Sequence, residues 1–142
     1  MGLLIDSSVL IAVERRKLDL PQLLRQYSAE PVAISAVSAS ELLHGVYRAQ
    51  DSRRVEQRRS FVESLLSTYT IIPFDLSAAR QHAQIWAIMQ TSGTVIGVHD
   101  LLIAATALAV NYAVVTLNTA EFSRVPGLLV IGPDAPGDAG RP

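Results

Sequence analysis

Asp6 in Leu-Ile-Asp-Ser-Ser, Glu41 in Ser-Ala-Ser-Glu-Leu-Leu and Asp100 in Val-His-Asp-Leu-Leu-Ile-Ala-Ala-Thr-Ala are three acids in separate, strongly apolar settings. A carboxylate beside core-forming sequence is costly unless it is compensated, and a divalent cation is the compensation that converging carboxylates accept most readily. Three of them within a few ångströms would raise one another's pKa until a cation reversed the local field. A hard, oxygen-preferring ion such as Mg²⁺, with Mn²⁺ as the alternative, suits such a set. Zinc does not, because the chain has no cysteine and its histidines His44, His82 and His99 have no ligand spacing. Mg²⁺ held by few carboxylates keeps waters and takes phosphate oxygens, so the chemistry pointed to is phosphodiester hydrolysis by metal-activated water.

The acids lie about 35 and 59 residues apart in sequence, so a fold has to bring them together. Gly2 to Ile5 reads as a strand that ends at Asp6, with Ser7 or Ser8 capping a helix through Val13. Leu20 to Tyr27 reads as a second helix with Pro21 in its first turn. Further elements are a strand from Pro31 to Ser35, helices at Ser38 to Arg48 and Ser52 to Ser67, and a strand from Thr70 to Phe74. Asp75 or Ser77 caps a long helix whose Leu76, Ala79, Ala83, Trp86 and Met89 or Gln90 recur at helical spacing, placing Trp86 in the core or a dimer surface. Asp100 opens the all-round apolar segment Leu101 to Val110, a buried helix, and strands at Ala113 to Thr116 and Leu128 to Ile131 follow.

Alternation of short apolar strands with helices specifies an α/β fold, with a central parallel sheet of four to five strands flanked by helices. Ligands in such sheets bind beyond the carboxyl ends of the strands. Asp6, Glu41, Asp100 and Asn118 all fall at that edge. Residues 1–131 form one domain. Gly132 to Pro142 contain three Gly, three Pro and two Asp in eleven residues, the composition of a flexible tail.

Composition narrows the classes. The 142 residues are 49% apolar, 18% charged and 6% aromatic, an ordinary globular balance with an aliphatic core. Absence of cysteine removes disulfides and thiol chemistry and suits a reducing cytoplasm. No signal peptide pattern and no apolar run near 20 residues is present, so no membrane partner is expected. The net charge of −1 rules out binding of nucleic acid through a general positive field. Local placement must carry any such contact, and Arg15, Arg16 and Lys17 are the candidates for holding phosphates. The run from Arg48 to Arg59, with five arginines against Asp51 and Glu56, reads first as a solvated face with Glu56 pairing Arg59, and second as an RNA or protein contact. Phosphate-binding glycine motifs are missing.

Four blocks, Leu-Ile-Asp-Ser-Ser-Val-Leu-Ile-Ala, Ser-Ala-Ser-Glu-Leu-Leu-His-Gly, His-Asp-Leu-Leu-Ile-Ala-Ala-Thr-Ala-Leu and Val-Val-Thr-Leu-Asn-Thr-Ala-Glu-Phe-Ser-Arg-Val-Pro-Gly-Leu, resemble those of the PIN-domain ribonucleases, in particular the VapC-type toxins. They stand in the family's order up to about Ile131. The resemblance implies a PIN-like three-layer fold and a Mg²⁺-dependent endoribonuclease cutting RNA such as tRNA or rRNA. It also implies a homodimer neutralised by a VapB-type antitoxin. Carried over by position, Asp6, Glu41 and Asp100 are catalytic and metal-ligating, while Ser7, Ser8 and Thr116 support them or contact phosphate. Asn118 occupies the place where a fourth acid often stands and offers an amide oxygen to the metal. Glu121 is expected to face solvent.

Two rivals remain on sequence grounds. A PIN-like module that binds RNA or protein without turnover is kept open by Asn118. A receiver-type phosphotransfer domain would want adjacent acids near residue 6 and a late lysine, and Lys17 is the sole lysine.

Overall fold

A computed structural model describes residues 1–133. Its sheet has five parallel strands, β1 (Gly2–Ile5), β2 (Val32–Ser35), β3 (Thr70–Ile72), β4 (Tyr112–Val115) and β5 (Val130–Ile131), in the order β3-β2-β1-β4-β5. The helices are α1 (Ser7–Glu14), α2 (Leu20–Leu24), α3 (Ala36–Arg48), α4 (Ser52–Thr68), α5 (Leu76–Ser92), α6 (Val98–Val110) and α7 (Thr119–Phe122). The α/β expectation and the parallel sheet hold. The strands at 70–74 and 128–131 are shorter than expected, and the helix begun at Leu20 tightens into a 3₁₀ turn over Arg25–Tyr27. Residues 134–142, most of the expected tail, lie outside the described residues.

Alternation along the strands builds the three layers. Leu3, Ile5, Ile34, Ala113 and Val115 point to one face, where they pack with Val9 and Leu10 of α1, Leu42 and Val46 of α3, and Val62 and Leu65 of α4. Leu4, Ala33 and Val114 point to the other, against Ile85 and Met89 of α5, the Ile103–Ala107 stretch of α6, and Phe122. Successive side chains of a strand face opposite ways, so a sheet covered on both faces needs apolar residues throughout. Gly2 lies against the Tyr112 ring, and a Cβ there would overlap it.

Beyond β1 the chain adds β2 and β3 on one side, then returns to place β4 and β5 on the other. The order therefore reverses between β1 and β4. Helices following the two strands diverge there and leave a crevice at the carboxyl ends. Asp6 follows β1 directly and Thr116 follows β4, and the Asp6 N–H donates to the Val115 carbonyl at 2.9 Å, locking the two ends together.

Candidate active site

Asp6 is 2% exposed. It stands at the N-cap of α1 but makes no capping bond with its side chain. Its Oδ2 instead accepts from Ser8 Oγ at 2.6 Å and from Thr116 Oγ1 at 2.8 Å. Both hydroxyls are fixed from behind, Ser8 Oγ by the Leu117 N–H at 3.1 Å and Thr116 Oγ1 by the Asn118 N–H at 2.9 Å. The carboxylate is thus oriented through two strand ends, and no hydrogen bond among the described residues engages Oδ1. Sequence reading gave Ser7 and Ser8 a capping role first; they lie inside the first turn, and their hydroxyls serve carboxylates.

Ser35 ends β2 and caps α3 by accepting from the Ser38 N–H at 3.0 Å, which sets where α3 starts and which way Glu41 faces. Glu41 is half-buried one and a half turns in. Its Oε1 accepts from Ser7 Oγ at 3.0 Å, and its Oε2 lies 3.5 Å from His99 Nδ1. Helix α6 starts at Val98, not at Asp100, so Asp100 is a first-turn residue rather than the cap.

Glu121 corrects the sequence reading. The one-turn helix α7 directs it towards the site, where Oε1 accepts from the Gly97 N–H at 2.7 Å and the carboxylate reaches Asp100. Asn118 is exposed at the N-cap of α7 and makes no capping bond with its side chain. The signal for Glu121 was present in its spacing from Asn118: three residues is close to one helical turn.

Asp100 records the proximity of these acids. Its carboxyl is pushed from 3.8 up to about 7, first by burial, then by the charges of Asp6 and Glu121, a hydrogen bond with Glu121, and the charge of Glu41. This happens even though a helix N-terminus favours the anion. Among the described residues no three acids or imidazoles already converge at metal-ligand distance. Asp6, Glu41, Asp100 and Glu121 form an acidic ring close enough for the other three charges to act on Asp100. Oxygen donors alone, with Asp6 preset by two hydroxyls, fit a hard divalent ion.

The basic run after α1 divides. Arg15 borders a cleft that also contains Glu41, whereas Lys17 borders a separate hollow with Asp19 and Gln22, and Arg16 borders neither. The expected Glu56–Arg59 pair is absent among the described residues; Arg58 pairs with Glu14 at 3.3 Å, and Arg59 lies over the Tyr47 ring.

Residues 3–128 match the family model of the PIN domain. A protein named ribonuclease VapC from Rickettsia bellii is 39% identical over 131 residues, covering 92% of this chain and 96% of that protein. A tRNA(fMet)-specific endonuclease VapC from Salmonella typhimurium is 33% identical over 99 residues, covering 70% of this chain and 73% of that protein. In a VapBC complex of Rickettsia felis bound to a promoter DNA fragment, one chain superimposes with a TM-score of 0.84 at 28% identity, covering 93% of this chain and 98% of that one. With the acids gathered at the reversal point of a parallel sheet and relatives matching nearly end to end, the chain belongs to the PIN-domain family, among its VapC-type ribonucleases.

Proposed function

We propose that this protein is the toxin of a toxin-antitoxin pair, a Mg²⁺-dependent endoribonuclease acting on structured RNA such as tRNA or rRNA. The observation that carries the reading is the meeting of Asp6, Glu41, Asp100 and Glu121 at one edge of the sheet, felt at the Asp100 carboxyl, which burial first and then the other three acids push up to about 7. Asp6 and Asp100 are the metal ligands, with Glu41 and Glu121 binding through water or directly. Asn118 is left at the rim, where its amide can meet substrate. When bound, Mg²⁺ supplies the charge neutralisation, the water of lowered pKa and the clamp on phosphate oxygens that hydrolysis needs. Ser8 and Thr116 hold Asp6 in one orientation, and Ser7 does the same for Glu41. The half-exposed carboxylates leave room for a phosphate at the open edge. The binding module without turnover rested on a missing fourth acid, and Glu121 supplies one.

VapBC complexes among the structural relatives support a VapB-type antitoxin as the partner. A homodimer is supported by α5. This helix carries one charged residue, Arg80, and leaves Leu76 66%, Trp86 50% and Ile88 47% exposed. Cytoplasmic location fits a cysteine-free chain in which no described helix is long and apolar enough to cross a membrane.

The test is cleavage of total RNA by the antitoxin-free protein, with Mg²⁺ and with EDTA, beside Asp6→Asn and Asp100→Asn. Cleavage that needs Mg²⁺ and falls by at least a hundredfold in both variants is expected. Equal cleavage by wild type and variants would overturn the assignment.

A further inference from the structure

We infer that the cleft between α1, α3 and α4 is the track along which a single RNA strand leaves the acidic centre, held there by Arg15 and Arg48. The inference rests on the ribonuclease reading above and adds the course of the substrate to it.

Glu41, Gly45 and Arg48 are spaced i, i+4, i+7 and form one wall of this cleft; Glu14 and Arg15 line the facing wall. Glu41 belongs to the acidic ring. Arg48 lies two turns further on, about 10 Å along the helix axis at 1.5 Å per residue. The cleft therefore joins a site that handles a phosphodiester to a pair of cations one to two nucleotides away.

The cations differ in availability. Arg58 is spent on the protein: its Nε donates to Glu14 Oε2 at 3.3 Å and its Nη1 to the Gly45 carbonyl at 3.4 Å, tying the three helices together. Arg15 and Arg48 are exposed and have no ion-pair partner among the described residues. Their guanidinium groups match phosphate oxygens in charge and geometry. An acidic peptide could satisfy the same arginines, but the continuity of the cleft with Glu41 and the other acids favours a strand that already has a phosphate at that centre.

The experiment compares wild type with the Arg15→Gln/Arg48→Gln variant, which changes exposed side chains and leaves the Arg58 tie intact. Cleavage of a pool of tRNA and rRNA is measured with Mg²⁺ across a series of salt concentrations. The expected result is a KM raised at least tenfold with kcat retained, and a slope of log affinity against log salt flatter by about 0.7 for each lost phosphate contact, about 1.4 in all. An unchanged KM and slope would overturn the inference, as would a variant that cleaves normally and loses only its affinity for the antitoxin. Failure of the wild type to cleave at all would count against the ribonuclease reading, not against the course of the strand alone.

Discussion

Asp100 makes the site sensitive to pH in a direction opposite to that of an ordinary salt-bridged aspartate. Its carboxyl sits near 7 in the folded, metal-free protein against 3.8 unfolded. The folded state retains a proton that the unfolded chain releases near pH 4, so metal-free stability declines as pH rises from about 4 to about 7 and levels off above. Asp100→Asn removes that decline. At pH 8 the variant should be more stable than wild type by on the order of 1 kcal/mol, after allowance for the half-exposed position, and near equal to it at pH 4. Urea titrations at the two pH values check this. Thr116 acts in the other sense. Buried fully, it donates to Asp6 and accepts from the Asn118 N–H. Thr116→Val keeps the shape and leaves both groups short of a partner, costing about 1–3 kcal/mol and on the order of tenfold in cleavage rate, read by thermal melting and initial rates.

Helices α3 and α5 show how far elements can be read before their packing is known. The sequence starts α3 at about Ser38, whereas the helix begins at Ala36 with Ser35 as its cap; Ser35 and Ser38 are both buried, but the two serines are not equivalent. Ser35 caps the helix, whereas Ser38 Oγ has no hydrogen-bond partner among the described residues. Ser35→Ala should cost about 1 kcal/mol, while Ser38→Ala should be neutral or slightly stabilising because it removes an unpaired buried hydroxyl. Chemical denaturation of the pair separates the two roles. In α5 the helix was legible and its phase was not. Of the expected stripe, Leu76, Ala83 and Trp86 face outward while Ala79 is half-buried and Met89 buried, and Ala78 and Ile85 complete the buried set. Apolar residues all round a helix leave its orientation to the neighbour it packs on, here α6.

At the scale of the whole molecule, this misphased helix becomes a surface. Leu76, Trp86 and Ile88 are exposed at different angles around α5, and with Val95 and Val98, 75% and 74% exposed beyond its end, they leave more apolar surface than a lone domain usually presents. Trp86→Glu should convert the proposed dimer to a monomer in sedimentation velocity with the fold retained, since half of this side chain is already in solvent. Cation binding is a second whole-molecule property. Mg²⁺ should raise the thermal midpoint by more at pH 8 than at pH 5, because the ring must give up its shared proton to bind. An equal rise at both pH values would separate the ion from the Asp100 carboxyl.

The parallel α/β class, three of the four acids and the edge at which they meet were all legible along the chain. They depend on local matters: strand alternation, helix starts, and Asp or Glu set against apolar runs. The fourth carboxylate was missed although its spacing from Asn118 was visible, because that spacing counts only if residues 119–122 make a helical turn, and so short an element has no apolar periodicity to announce it. Nor could the separation of Arg15 from Lys17 be seen, although they are two residues apart. Neighbours in sequence share a surface only where the backbone keeps them on one side, and beyond α1 the chain turns through Arg16 at φ 59°. Local pattern chooses the elements; which way each of them is rotated is set by the faces they bury against one another.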